Sequence, residues 1–308
     1  MTRAADLAIR TEALSKRYGD VSALVDLDLE VSAGEVIGYL GPNGAGKTTT
    51  IRLLLGLVRP SAGKAEIFGI DCQRRPVEAH QRVAVVPGEA NLWPELTGAE
   101  TLHLLAQVHG KVDEPYRDEL IGRFELDPAK KVRAYSKGNR QKVLLIGALM
   151  SRADLLLLDE STSGLDPLME QAFRVCVGEA RERGQTVFLS SHVLGEVEAL
   201  CDRVAILRDG RLVESGSLDE MRHLSAVTVE ATVTGEMPDF GGVAGLTGLA
   251  TEGKSLRCQV HGPIEPLLTA LMKAGVANLL IREPSLEELF LALYGQTSYR
   301  AEEFANGR

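Results

Sequence analysis

Short apolar runs alternate along the first part of the chain with segments whose apolar residues recur at helical spacing. Residues 36–40, 155–158 and 186–190 are compact apolar runs of strand length. Runs of this kind are typical of parallel strands that helices cover on both faces. A segment of helical spacing at 167–183 separates the last two runs. The pattern therefore predicts an α/β fold built on a parallel sheet.

Other parts of the same region carry different patterns. Residues 7–31 form strand-like bursts around a turn at 18–20, and residues 63–70 predict a further strand and turn. From 99 to 126 the apolar residues recur at helical spacing, and a second helical run follows Ser136. These segments predict a strand-rich part and a helical part beside the parallel sheet.

The pattern changes near residue 218, where half-exposed strands and short helices replace the compact apolar runs. We therefore predict a first domain over residues 7–217, a small α+β domain over 218–295, and a polar, disordered tail over 296–308. The elements predicted in the second domain are strands at 227–233, 256–260 and 276–281 and helices at 264–274 and 286–294.

Composition narrows the class of protein. The chain has 308 residues, is 44% hydrophobic and has a formal net charge of −9. An acidic chain without a lysine or arginine block is a poor candidate for nucleic-acid binding, which needs positive side chains to neutralise phosphates. No stretch reaches the roughly 20 apolar residues that span a bilayer. The four cysteines form no CxxC pair, which suits a reducing cytosol.

The apolar run at 36–40 leads into a glycine-rich segment and then into a helical one. Residues 41–48, GPNGAGKT, match GxxxxGK[ST] at every fixed position. Glycines let backbone N–H groups turn toward phosphate oxygens, and the start of the next helix favours the same anion. Lys47 supplies a movable charge for the β- and γ-phosphates, and the Thr48 hydroxyl can bind Mg²⁺. The predicted phosphate-binding residues are Gly41, Pro42, Asn43, Gly44, Ala45, Gly46, Lys47, Thr48 and Thr49.

Two carboxylates end the apolar run at 155–158. A strand that ends beside the phosphate loop would place Asp159 near a metal ion, where a hard anionic oxygen is needed. Glu160 is then positioned to polarise a water molecule for attack on the γ-phosphate. The pair therefore predicts a metal ligand followed by a general base.

Three further segments stand in a fixed order around this pair. Residues 135–141 (YSKGNRQ) precede it, residues 163–166 (SGLD) follow it, and His192 lies after the next strand. With the phosphate loop, this set resembles the nucleotide-binding domain of ATP-binding-cassette (ABC) transporters over about residues 7–217. The resemblance implies a P-loop NTPase fold, in which a RecA-like core carries a β-subdomain and a helical subdomain.

The resemblance also implies how the nucleotide is held and cleaved. Tyr18 would stack on adenine, an interaction that ignores the identity of the base. His192 would contact the γ-phosphate and hold the attacking water together with Glu160. The catalytic residues implied are Glu160, His192 and Lys47, and the metal ligands are Thr48 and Asp159.

Other residues are implied to act across a dimer. Ser136 and Gly138 would contact the γ-phosphate of ATP bound to the opposite subunit, and Asp166 would couple the two composite sites. An ordinary helix N-cap at Ser136 is compatible with that role.

The sequence departs from the family pattern at several positions. Lys137 replaces a glycine and Asn139 replaces a glutamine in the segment that usually reads LSGGQ. Gly88 stands where the family usually has a glutamine that binds Mg²⁺ and contacts the membrane subunit. Because glycine has no side chain, Glu89 or a water molecule would have to take that place.

We therefore expect an ATPase that uses ATP and Mg²⁺ and pairs with a second ABC ATPase subunit and a multi-span permease, without nucleic acid. The single cassette, the YSKGN signature and the small C-terminal domain resemble cassettes that export drugs, antibiotics or lipids. We expect it at the cytoplasmic face of the membrane, bound through the permease. An importer ATPase and a soluble ABC ATPase of translation or DNA repair are the alternatives.

Overall fold

The structure, a computed structural model, describes residues 7–110, 112–223, 226–283 and 286–288. The chain divides into two compact units, Met1–Gly216 and Ser217–Arg308. Within the described residues, none of the helices combines the length and the apolar character that crossing a bilayer would require.

The elements up to residue 217 alternate between strands and helices. The strands are β1 (Leu7–Tyr18), β2 (Val21–Ser32), β3 (Val36–Leu40), β4 (Ala62–Ile67), β5 (Ile70–Asp71), β6 (Val83–Val86), β7 (Leu155–Asp159), β8 (Thr186–Ser191), β9 (Arg203–Arg208) and β10 (Arg211–Ser217). The helices are α1 (Lys47–Leu54), α2 (Pro76–His80), α3 (Gly98–His109), α4 (Glu114–Arg123), α5 (Lys137–Met150), α6 (Pro167–Glu182) and α7 (Leu194–Leu200).

A six-stranded sheet forms the centre of the first unit, in the order β10-β9-β3-β8-β7-β6. The five strands from β9 to β6 are parallel, which confirms the predicted α/β fold. The register pairs Leu40 with Ser191 and Asp159 with Ser190. The carboxyl ends of β3, β7 and β8 therefore meet at one edge of the sheet, where ligands bind in open α/β folds.

A second sheet in this unit has the order β2-β1-β4-β5 and is antiparallel. One apolar core joins it to α1 and to the central sheet, with Ile9 and Leu27 on one side, Ile51 from α1, and Leu157 and Phe188 on the other. This shared core fixes the phosphate loop, which precedes α1, against both sheets.

The helical pattern at 99–126 corresponds to two helices, α3 and α4. Thr97 begins α3 with a capping box, in which its hydroxyl accepts from the Glu100 N–H and the Glu100 carboxylate accepts from the Thr97 N–H. Asp113 caps α4 by accepting from the Tyr116 N–H at 3.0 Å. Each cap supplies partners for N–H groups that a helix start leaves free.

Five short or irregular elements were not predicted, namely β5, α2 and α7 of the first unit and one helix and one strand of the second unit. The helix α2 spans five residues and α7 spans seven, so neither gives a helical period long enough to recognise.

The second unit contains α8 (Leu218–His223), β11 (Val227–Val233), β12 (Leu246–Glu252), β13 (Ser255–Val260), α9 (Glu265–Ala274) and β14 (Val276–Arg282). Its antiparallel sheet has the order β12-β13-β11-β14.

Alternation along β13 shows how this sheet is covered. Leu256 and Cys258 are buried in one core with Leu267 and Leu271 of α9, whereas Arg257 between them is exposed. The strand β12 was missed because its glycine and threonine residues interrupt that alternation. Of the helix predicted at 286–294, residues 286–288 are helical. The rest of it and the predicted tail at 296–308 lie outside the described residues.

Candidate functional site

The loop between β3 and α1 is the segment that the sequence predicts to hold phosphate. Gly44 and Gly46 have φ angles of 83° and 111°, a conformation that favours glycine. A Cβ atom at Gly46 would lie 2.5 Å from the carbonyl oxygen of Ala23, and one at Gly41 would lie 2.5 Å from that of Leu207. Glycine is therefore required at both positions. The loop ends at the N-terminus of α1, where a helix favours an anion.

Lys47 is the first residue of α1 and is 5% exposed. Its Nζ donates to the carbonyl oxygens of Gly41 at 2.6 Å and Pro42 at 3.2 Å. The same Nζ lies 3.9 Å from Glu160 Oε1. Burial lowers the pKa of Lys47, and the carboxylates of Glu160 and Asp159 oppose that shift. The carboxylates thus favour the charged ammonium beside the phosphate loop.

Asp159 ends β7 and has both carboxylate oxygens engaged. The Thr48 hydroxyl donates to Oδ2 at 2.9 Å, and the Ser190 hydroxyl donates to Oδ1 at 2.9 Å. A hydroxyl and a carboxylate are oxygen donors of the kind that Mg²⁺ prefers. Sequence reasoning missed Ser190. Its signal was available in principle, because adjacent parallel strands in this register bring the end of β8 beside the end of β7.

Glu160 and His192 meet directly at the same sheet edge. His192 Nδ1 lies 3.2 Å from Glu160 Oε1, and the two side chains are 52% and 31% exposed. Glu160 has a φ of 47°, which is uncommon for a residue other than glycine, and its N–H donates to the Ser190 carbonyl at 2.8 Å. The Glu160 backbone therefore adopts an uncommon left-handed conformation, and its carboxylate lies beside the His192 imidazole.

A cavity of about 180 Å³ opens among these groups. All of the predicted phosphate-loop residues except Gly41 and Ala45 line it, together with Glu160. The lining residues are Pro42, Asn43, Gly44, Gly46, Lys47, Thr48, Thr49 and Glu160. We call the connected side chains Lys47, Thr48, Asp159, Glu160, Ser190 and His192 the catalytic cluster. The cation and the oxygen donors of this cluster, with the adjacent glycine loop, fit a magnesium–triphosphate group.

Tyr18, predicted to stack on adenine, is the last residue of β1 and is 43% exposed. The Lys16 ammonium lies 4.8 Å from the centre of its ring. The exposed ring is open to stacking, and its role toward a base stays a prediction.

The residues predicted to act across a dimer form a separate group. The Ser136 hydroxyl accepts from the Asn139 N–H at 3.2 Å and caps α5. A Cβ at Gly138 would lie 2.4 Å from the carbonyl oxygen of Gly164. Lys137 Nζ donates to the Ser163 hydroxyl at 2.9 Å. We call residues 136–138 with residues 163–166 the signature cluster.

Asp166 completes the signature cluster and caps α6. Its Oδ1 accepts from the N–H groups of Leu168 and Met169, both at 3.1 Å. Ser136, Gly138 and Asp166 are not among the described residues that line the cavity. Within one chain, these side chains therefore have structural roles, and their predicted roles across a dimer stay predictions.

Gly88, at the position where the family usually has glutamine, lies against the residues that carry the two carboxylates. A Cβ there would lie 3.3 Å from the Asp159 carbonyl oxygen and 3.8 Å from Glu160 Cβ. The position is therefore adjacent to the catalytic cluster although it contributes no side chain to it. Glu89 is exposed, and its replacement of the glutamine stays a prediction.

A phosphate loop at the end of a central parallel strand, with a hydroxyl–carboxylate pair and a Glu–His pair beside it, defines a P-loop nucleoside triphosphatase. A family model described as "ABC transporter" matches residues 24–163.

Three known proteins resemble the chain closely. It is 36% identical to the daunorubicin resistance ATP-binding protein DrrA3 of Streptomyces coeruleorubidus, over 94% of this chain and 97% of that protein. It is 36% identical to the Nod factor export ATP-binding protein I of Cupriavidus pinatubonensis, over 91% and 89%. A solved ATP-binding subunit of an ABC transporter has 33% identity and a TM-score of 0.67, over 70% of this chain and 92% of that one.

The chain belongs to the ABC transporter family as an ATP-binding subunit. The predicted family, fold class and ATP hydrolase activity are thereby confirmed.

Proposed function

We propose that this chain powers the export of a drug, antibiotic or lipid-like substrate through a separate membrane permease. Two relatives support this direction of transport, since one is named for daunorubicin resistance and the other for Nod factor export. Both match nearly the whole chain, including the second unit, which argues for a shared task and not only shared ATP chemistry. Neither relative supports import or a soluble role.

Nucleotide binding is assigned to the phosphate loop and Tyr18. The loop from Gly41 to Thr49 surrounds the triphosphate, and Lys47 neutralises its β- and γ-oxygens. Tyr18 stacks on the base, which is worth about 1–3 kcal/mol. Lys47 already contacts the loop carbonyls and lies 3.9 Å from Glu160, so its ammonium is near both the phosphates and the carboxylate that acts on them.

The hydrolytic step is assigned to Glu160 and His192. Glu160 accepts a proton from the attacking water, and the imidazole of His192 at 3.2 Å orients that carboxylate and contacts the γ-phosphate. Thr48 and Asp159 would hold Mg²⁺, which when bound neutralises charge on the phosphate oxygens. Ser190 fixes the orientation of Asp159 through its hydrogen bond.

One set of contacts supports this proposal most directly. Lys47 lies beside Glu160, and Glu160 lies beside His192. Asp159 accepts hydrogen bonds from Thr48 and Ser190. General bases must lie within hydrogen-bond reach of the group that they act on. Those contacts, all at one sheet edge, support the assignment of Glu160 and His192 to the hydrolytic step.

A second cassette would supply the signature cluster. Ser136 and Gly138 of one subunit would contact the γ-phosphate held by the other, and Asp166 would couple the two sites. Because the γ-phosphate then bridges both subunits, its removal would weaken the closed state, and this difference in affinity drives the motion. The permease would receive that motion at the cytoplasmic face of the membrane.

Reconstitution with a candidate multi-span permease tests the proposal. The two proteins would be placed in vesicles, and ATP-dependent movement of daunorubicin would be measured as a probe of export. We expect transport that disappears when Glu160→Gln replaces the wild-type chain. A chain that hydrolyses ATP but neither binds the membrane protein nor moves any probe would contradict the assignment.

A further inference from the structure

Glu196 is a buried carboxylate to which the proposed mechanism gives no role. It lies in α7, four residues beyond His192, and is 5% exposed. Ionisable side chains are seldom buried to this degree unless partners hold them. One carboxylate oxygen, Oε2, accepts from the Ser191 hydroxyl at 2.9 Å. The other, Oε1, is buried without a hydrogen-bond partner among the described residues.

The Ser191 hydroxyl makes a second bond that encloses His192. It accepts from the Val193 N–H at 3.0 Å while it donates to Glu196. Residues 191 and 193 flank the histidine on either side, so the chain Glu196–Ser191–Val193 fixes the backbone turn that carries the imidazole. Because His192 itself is 52% exposed, few contacts of its own ring restrain it.

The groups that influence the pKa of Glu196 come from α6 and from the loop after β7 as well as from Ser191. Burial raises the pKa of Glu196, and the hydroxyls of Ser191 and Thr162 lower it. Thr162 lies in the loop that joins Glu160 to the signature cluster. From α6, Glu170 raises the pKa and Arg174 lowers it. Glu196 thus contacts the segment after β8 through Ser191, and Thr162 in the segment after β7 influences its pKa.

We propose that Glu196 is a positioning residue for hydrolysis, which holds the Ser191–Val193 turn so that His192 stays within hydrogen-bond distance of Glu160. The inference rests on the proposed roles of His192 and Glu160. Removing the carboxylate frees the Ser191 hydroxyl and lets the turn relax, and small displacements of a catalytic group reduce rates strongly.

Four variants of the full chain test the inference by steady-state ATPase assays across a range of Mg²⁺·ATP concentrations. We expect Glu196→Ala to lower kcat by roughly 10- to 100-fold with little change in KM. Glu196→Gln should recover most of the lost kcat, because its amide oxygen can accept the Ser191 hydroxyl. Ser191→Ala should match Glu196→Ala, and the double variant should be no slower than either, as expected for two members of one interaction.

Val197→Ala is the control for general weakening of α7, since Val197 is fully buried on the same helix. It should lower thermal stability without lowering kcat. Wild-type kcat in Glu196→Ala, an equal loss in Val197→Ala, or a Glu196→Gln variant as slow as Glu196→Ala would each overturn the inference.

An NMR readout separates this inference from the hydrolytic roles. The ring signal of His192, assigned by its loss in His192→Ala, should shift in Glu196→Ala and Ser191→Ala and stay in place in Val197→Ala. An unmoved signal in Glu196→Ala would refute the positioning role. If His192→Ala keeps full activity, the proposed function of His192 fails, while the ring signal still decides whether Glu196 holds the turn.

Discussion

The catalytic cluster and the signature cluster contrast within the same unit. In the catalytic cluster, side chains that carry chemistry contact one another: Lys47 with Glu160, Glu160 with His192, and Asp159 with Thr48. In the signature cluster, Ser136 and Asp166 cap helices of their own chain.

One chain thus brings the groups proposed for hydrolysis into contact, whereas the residues proposed to act across a dimer are held by contacts within their own segments. Capping fixes the ends of α5 and α6, and the close approach of Gly138 to Gly164 fixes the two segments against each other. Such local order suits the proposed contact of this surface with a second subunit, because binding would then require little reorganisation. The following substitutions test each side of this contrast.

The largest effect is expected at Glu160. We predict that Glu160→Gln retains ATP affinity but slows hydrolysis by about 10²–10⁴, because the amide cannot accept the proton from water. Glu182→Gln, at an exposed position of α6, is the matched control and should behave as wild type. Equal turnover in Glu160→Gln and wild type would contradict the proposed role of Glu160 as general base.

The second largest effect is expected for Lys47→Ala, which should weaken ATP binding. Loss of a charged donor to the phosphates costs about 1.5–3 kcal/mol, which calorimetry would report as weaker ATP affinity. Lys64→Ala offers a surface comparison, since Lys64 pairs with Glu12 and Glu66 away from the loop. Unchanged affinity in Lys47→Ala would contradict the phosphate-loop assignment.

Gly138→Ala probes the signature cluster. The new methyl would press on the Gly164 carbonyl oxygen, so we expect the free energy of unfolding to fall by about 1–3 kcal/mol. ATPase activity should fall while ATP binding by the phosphate loop persists. Gly178→Ala is the control, because a Cβ at that helical position meets nothing within 4 Å. Wild-type stability and turnover in Gly138→Ala would contradict the claim that close packing of Gly138 against Gly164 holds the signature cluster together.

Ser190→Ala should give the smallest effect. It removes the donor to Asp159 Oδ1, so the carboxylate is less well oriented toward the metal. We expect the Mg²⁺ concentration for half-maximal activity to rise about tenfold, with little change in kcat at saturating Mg²⁺. Ser22→Ala, exposed at the start of β2, is the control. An unchanged Mg²⁺ dependence would show that Ser190 does not support the metal site.

Local sequence patterns predicted much of the fold. Compact apolar runs identified β3, β7 and β8, and the glycine loop between β3 and α1 was recognisable because its residue types are required by its geometry. Elements that lack a long period were missed, as with α2, α7 and β12. The helical spacing at 99–126 did not show where one helix ends and the next begins. In the structure, the C-cap at Gly110 ends α3 and the cap at Asp113 begins α4.

The sequence alone determined the residue types of the site: the glycines, Lys47 and Thr48, the Asp159–Glu160 pair and His192. Only the tertiary structure decided which of them meet. Ser190 and Glu196 became visible through the pairing of β7 with β8 and the packing of α7, since contacts between residues far apart in the chain depend on strand register and burial. The same reason explains why Gly138 lies against Gly164, because the close approach of two segments depends on how they pack, whereas the caps at Ser136 and Asp166 are local contacts.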